Sequence, residues 1–187
     1  MSGKYSQRNQ QGRHRIADSE PLAIRLLKEE HHIFRDLFDR AEQAEDDAAL
    51  PPIAAELCMR LAVHMTIEEE ILYPALKPIL GEDEINEGIV EHASGKALAA
   101  EIEQLDGDET LYRAKIHVLG EETVHHIDEE DEEMFAEAAE AHGKGKIDLD
   151  ALGEKLRARQ ADLYDQIERT GELGKTREAK AEEVEKV

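Results

Sequence analysis

One stretch constrains this chain more than any other: His64-Met65-Thr66-Ile67-Glu68-Glu69-Glu70-Ile71-Leu72-Tyr73-Pro74. A histidine and a glutamate stand four apart, in a run whose apolar residues recur at helical spacing. On a helix, residues i and i+4 share a face. Leu57, Leu61, Ile71, Leu72 and Leu76 mark that face as a core, so His64 and Glu68 are expected to point inward. An ionised carboxylate there is costly unless it is paired or bound to a metal. The pattern returns 62 residues later (126 − 64) as His126-Ile127-Asp128-Glu129-Glu130-Asp131-Glu132-Glu133-Met134-Phe135, where Glu130 matches Glu68 and Phe135 matches Tyr73. A weaker pair, Glu30-His31 and Glu91-His92, lies 61 apart (92 − 31), and Arg35 matches Lys96. The chain is internally duplicated.

Composition narrows the class. With 36% charged residues, 4% aromatics and few β-branched runs in 187 residues, the chain reads as one helical domain. A formal net charge of −22 argues against nucleic acid or an anionic membrane as the main partner. The lone cysteine, Cys58, allows no internal disulfide and reads as a small buried hydrophobe. The first 17 residues lack an apolar signal core, and no run approaches the ~18 apolar residues of a membrane span. A soluble, cytoplasmic protein is expected.

The periodicity predicts an all-α fold: an up-down-up-down four-helix bundle with an additional C-terminal helix. Residues 1–17, polar and mildly basic, are expected to form a disordered arm. The bundle is assigned to 18–142, the added helix to 143–170 and a charged tail to 171–187. Helix one is expected from a Ser19 cap to about Asp46, with His31 inward and His32 facing water. Helix two starts at Leu50-Pro51-Pro52, and Pro74 should bend or stop it. Helix three, about Asp83 to Leu105, carries an inward stripe of Ile85, Ile89, His92, Ala99 and Ile102. Gly88 and Gly95, flanking His92, leave room for close packing or a small ligand. Helix four runs from about Glu109 to His142, with His126 and Glu130 inward and His125 on its polar face.

Each helix thus contributes one inward histidine, and two add a glutamate. Singly, each has an ordinary explanation as core histidine or i, i+4 ion pair. Two inward His-x3-Glu pairs at equal positions of a repeat, each preceded by an inward histidine, do not. Nitrogen and oxygen donors together suit iron, manganese or zinc. Six ligands would saturate one octahedral ion; shared by two ions, they leave open positions. The Glu-x-x-His spacing of carboxylate-bridged proteins occurs at Glu29/His32 and Glu122/His125, but on charged faces. His-Glu-x-x-His is absent. Glu69 and Glu70 have no histidine at i±4 and are set aside.

The combined motif resembles the hemerythrin family, in its bacterial HHE cation-binding form. The resemblance runs over about residues 20–140, through Glu30-His31-His32-Ile33-Phe34-Arg35-Asp36-Leu37-Phe38, His64 to Pro74, and His125 to Phe135. It implies a four-helix bundle holding two iron ions with a bridging oxo or hydroxo group. By position, His31 and His64 would bind one iron, His92 and His126 the other, and Glu68 and Glu130 would bridge. The oxygen carriers of the family have His-x3-His on the third helix; here the fourth residue after His92 is Lys96. That departure puts reversible oxygen carriage in doubt. Tyr73, Tyr112, a glutamate or water could fill the open place. Lys96 could donate a hydrogen bond, add positive charge near a bound anion, or simply reach solvent. The expected function is binding or sensing of dioxygen, nitric oxide or peroxide, by a monomer or weak dimer. The alternative is a di-iron enzyme or iron donor in oxidative or nitrosative stress, and whether the chain is an enzyme stays open.

Overall fold

The computed structural model describes residues 3–105, 107 and 110–171, all helical or looped, with no strand among them. α1 spans Leu22–Gln43, α2 Leu50–Ile67, α3 Tyr73–Leu80, α4 Glu82–Glu103, α5 Tyr112–Glu129, α6 Phe135–Gly143 and α7 Leu149–Thr170. Pro51 and Pro52 sit in the first turn of α2, where their missing N–H groups cost nothing. Gly81, at φ 106°, separates α3 from α4 in a backbone shape that suits only glycine. α1 begins later than the Ser19 cap suggested. Its Leu22 N–H donates to Asp150 Oδ1 at 2.8 Å, so the cap comes from α7.

α2 and α3 form one continuous rod, as do α5 and α6. A π-turn joins each pair: Glu68–Leu72 in the first, Glu130–Met134 in the second. The Tyr73 N–H bonds the carbonyl of Glu68, five residues back, and the Phe135 N–H bonds that of Glu130. Pro74 therefore neither stops nor breaks the helix. Ala136 stands at the equivalent place in the second rod, which makes the same turn, so the turn belongs to the duplicated segment and not to proline. Such turns concentrate at functional sites, and each of these begins on a repeated glutamate.

The helices close a square, α1 on α2, α2 on α4, α4 on α5 and α5 on α1. Two apolar clusters fill it. Phe34, Phe38, Leu57, Leu61, Leu119 and Ile127 are central to one. Leu27, Ile67, Leu72, Leu76, Phe135 and Leu156 are central to the other. The histidines lie between them. Gly88 and Gly95 serve close packing: a Cβ at Gly88 would sit 2.9 Å from the Tyr73 hydroxyl, and one at Gly95 2.9 Å from Met65 Cε. Ile89, expected on the inward stripe, is 43% exposed. α7 lies outside the square, on α1 and α2. Gly153 permits that approach, since a Cβ there would fall 2.6 Å from the Ala23 nitrogen.

The N-terminal arm is ordered, contrary to expectation. Residues 6–10 and 12–14 form short 3₁₀ turns, and Tyr5, Asn9 and His14 are buried. Its basic and polar groups meet the acids of the body. The N–H groups of Tyr5 and Ser6 donate to the two oxygens of Asp39, and Lys4 and Tyr5 both donate to Glu121. The arm also covers His32, whose Nε2 lies 2.7 Å from the His14 carbonyl; His32 is half-buried and does not face free water. The expected tail, from residue 172 on, lies outside the described residues. No described helix is long and apolar enough to cross a membrane.

Candidate metal centre

His31 on α1, His64 on α2, His92 on α4 and His126 on α5 converge on the middle of the square, with Glu68 and Glu130 from the first residues of the two π-turns. All six are buried. Their donor atoms fall into two groups, each within 4.8 Å: His31, His64, Glu68 and Glu130 in one, Glu68, His92 and His126 in the other. Glu68 belongs to both. Glu130 also reaches both, its Oε2 3.3 Å from His31 Nε2 and its Oε1 3.6 Å from His126 Nε2.

The donor set suits a cation. Buried polar atoms are nearly always hydrogen-bonded. Here His31 Nε2, both nitrogens of His64, both oxygens of Glu68 and Oε2 of Glu130 have no hydrogen-bond partner. His31 Nε2 faces Glu130 Oε2 and His64 Nε2 faces Glu68 Oε2, each at 3.3 Å, while His64 Nδ1 lies on the outer side of its ring. Imidazole nitrogen with carboxylate oxygen is the donor chemistry of iron, manganese or zinc.

The outer nitrogens show how the imidazoles are held. His31 Nδ1 meets Asp131 Oδ1 at 2.9 Å, His92 Nδ1 meets Glu69 Oε1 at 3.0 Å, and His126 Nδ1 meets Glu91 Oε2 at 2.7 Å. A carboxylate on the far nitrogen fixes ring orientation and raises basicity. Two of these contacts are repeat mates, because Glu69 and Asp131 stand 62 apart (131 − 69). Each carboxylate is clamped by a cation, and the cations are repeat mates too. Arg35, fully buried, donates to Asp131 at 2.8 Å and to Asp128 at 2.9 Å, while Lys96 donates to Glu69. Lys96 therefore neither snorkels free nor points at the donor clusters. It holds the carboxylate that holds His92. Glu69, set aside on its i±4 neighbours, turns out to orient a histidine on another helix. Glu70 instead pairs with Arg159 on α7.

The fourth contact is missing. His64 Nδ1 has no partner, and Glu30, the repeat mate of Glu91 (91 − 30 = 61), keeps Oε2 unpaired. The aromatic mates behave as a pair with one difference. Phe135 stacks on His31 at 5.6 Å, and Tyr73 on His92 at 5.3 Å. The Tyr73 hydroxyl donates to Glu130 Oε1 at 3.1 Å and lies 3.1 Å from His92 Nε2. Phe135 has no such group, so the halves are chemically unequal.

Electrostatics follow the contacts. Burial alone would lower His31, but Asp131 outweighs it and holds the imidazole at about 9. His92 reaches about 9 against the same burial, through Glu68 and Glu69. His64, with no carboxylate on its outer side, is pushed well below its ordinary value by burial and by His31. Burial works against the ionised form of Glu130, yet His126 and His31 bring it to about 2. Glu68 moves up, through burial and then Glu130. The burial that raises Glu69 is overcome by His92 and Lys96, leaving it at about 2.

A cavity of about 200 Å³ reaches the centre between α4 and α5, with His64, His92 and His126 on its wall and Leu61, Met65 and Ile127 around them. Gly95, one of the two glycines expected to leave room beside His92, also lines it.

A helical bundle whose interior joins four imidazoles and two carboxylates is a cation-binding bundle by class. The description Hemerythrin HHE cation binding domain matches residues 22–138, and the chain belongs to that family. A curated DNA nickase of Nostoc sp. (strain PCC 7120 / SAG 25.82 / UTEX 2576) is 22% identical over 121 residues, covering 64% of this chain and 34% of the relative. The chain spans about a third of that protein's length. No solved structure matches.

Proposed function

We propose that the two clusters hold two iron ions and that the chain binds or senses a small oxidant there: dioxygen, nitric oxide or peroxide. In this reading His31 and His64 serve one iron, His92 and His126 the other, with Glu68 and Glu130 between them. The observation that carries it is the convergence of six buried His and Glu side chains in two clusters that share Glu68, with atoms of His31, His64, Glu68 and Glu130 left without hydrogen-bond partners. Iron, when bound, supplies redox chemistry and positions for a diatomic ligand. The protein's part is to hold the imidazoles by carboxylates, keep the centre among apolar side chains, and place one proton beside it on Tyr73. Lys96 acts through Glu69 and His92 rather than by contact with the ions.

The Tyr73 hydroxyl supports a second reading, in which the same centre breaks down peroxide or the chain donates iron under stress; turnover and iron-transfer assays separate these from sensing. The activity named for the Nostoc protein is not carried over. A net charge of −22 opposes a phosphate backbone.

Iron content tests the reading. Wild-type protein is expected to carry about two irons per chain, and His92→Ala to lose iron. His117→Ala, an exposed histidine paired with Glu42, is expected to keep it. One zinc per chain, or no metal after growth with ample iron, overturns the reading.

A further inference from the structure

The internal repeat gives the centre two equivalent outer faces, and the chain treats them differently. On the first, α7 lies across α1 and α2, and Leu152 and Leu156 pack with Ala23 and Leu26. On the second no helix lies among the described residues, and a cleft of about 270 Å³ opens between α4 and the second rod. Repeat positions make the contrast direct. Leu22, Ala23, Leu26 and Ile71 on the covered face correspond to Asp83, Glu84, Glu87 and Glu133 on the open one (offsets of 61 for α4, 62 for the second π-turn). Apolar groups under a helix have become carboxylates in a cleft.

The floor of this cleft is the centre itself: Glu130 and His126 line it. Glu130 is 2% exposed, and its Oε2 has no hydrogen-bond partner. Among the described residues no lysine or arginine lines the cleft. Glu84 and Glu133 make no ion pair with a basic side chain among the described residues, and burial with Glu137, Glu133 and Glu87 nearby pushes the Glu84 carboxyl up. Crowded carboxylates of this kind are relieved by a cation. Two of its lining residues, Glu91 and Glu129, form with the neighbouring His125 a group of three ligand atoms within 4.8 Å of one another. A cleft lined by one sign of charge concentrates the opposite ion and speeds its arrival.

We infer that the acidic cleft between α4 and the Glu130–Met134 turn is the route by which a divalent cation, ferrous iron, reaches the buried donor clusters. The inference rests on the di-iron reading and adds the path by which the ions arrive. α7 covers the equivalent face, and the other opening to the centre, the cavity between α4 and α5, has mostly apolar walls, whereas this cleft is lined by carboxylates.

Metal-free full-length chain is mixed with ferrous iron under anaerobic conditions, and the iron left free is followed in time with a chromogenic chelator. The combined variant Glu84→Gln/Glu87→Gln/Glu133→Gln is expected to load about tenfold more slowly at low salt, yet to reach the wild-type iron content. Added sodium chloride should slow the wild type much more than the variant. A control variant, Asp162→Asn/Asp165→Asn/Glu168→Gln on α7, removes the same charge elsewhere and should load at the wild-type rate. If the cleft variant loads as fast as wild type, or the control slows equally, the route is wrong while the di-iron reading stands. Wild-type chain that takes up no iron overturns the di-iron reading instead. Should the triple variant fold poorly, Glu87→Lys alone, at an exposed position, must slow loading in the same assay or the route is wrong.

Discussion

At the scale of the residue, the carboxylate behind each histidine decides how that histidine behaves. Asp131 is buried, accepts from Arg35, and holds His31 Nδ1 at 2.9 Å. Asp131→Asn keeps the shape and removes the charge, so His31 loses its partner and Arg35 half of its compensation. Leaving a buried cation short of its partner is strongly destabilising, about 3–5 kcal/mol at the upper end. The variant is expected to melt well below wild type without metal and to release iron to a chelator about 10–100-fold faster. Unchanged release would mean that Asp131 does not hold His31 for the metal. Lys96 makes the complementary point. Read alone, it replaces a histidine. Read beside Arg35, its repeat mate, it is a clamp on a carboxylate, and the pairing was present in the sequence as a 61-residue offset.

At the scale of the element, α7 is fastened to the bundle by close approach at one glycine. A Cβ at Gly153 would meet backbone at the start of α1, which cannot move aside as a flexible side chain can. Gly153→Val is therefore expected to lower stability by about 1–3 kcal/mol, seen as a lower urea midpoint. Iron content should hold, since no residue of α7 lies in the donor clusters. The π-turns carry a second expectation. Because Phe135-Ala136 makes the same turn as Tyr73-Pro74, Pro74→Ala should leave iron content unchanged and shift stability by no more than about 1 kcal/mol. Loss of iron in that variant would assign the first turn to proline after all.

At the scale of the whole molecule, pH sets metal-free and loaded protein against each other. His31 and His92 are raised to about 9 from 6.5 in the metal-free chain. Groups raised on folding stabilise the fold fully below their unfolded value, and that stability is lost as pH rises through the folded one. Glu69 and Glu130, lowered to about 2 from 4.5, stabilise above 4.5 and lose that contribution as pH falls toward 2. The metal-free chain is thus expected to melt highest between about pH 4.5 and 6.5, and several degrees lower by pH 9. Bound metal needs unprotonated nitrogen, so the gain in melting temperature on adding iron should grow from pH 6 to 9, with protons released on binding. A gain independent of pH would contradict the histidine donors.

The sequence by itself determined the helical bundle, the duplication and the inward set of four histidines and two glutamates. Those rest on periodicities of 3.6 and of about 62 residues, and both are local or repeated signals. Only the tertiary structure decided what stands behind those groups. Glu69 meets His92 across two helices, Asp131 meets His31 across 100 residues, and Asp150 caps a helix 128 residues away. None of these obeys i±4 spacing, which is why Glu69 looked idle in the sequence. The arm looked disordered because its few apolar groups cannot bury themselves alone; it is ordered because the acids of the folded body supply its partners. The acidic cleft follows the same logic: its carboxylates are ordinary surface residues in the sequence, and only the packing of α4 against the second rod gathers them in one cleft beside His126 and Glu130.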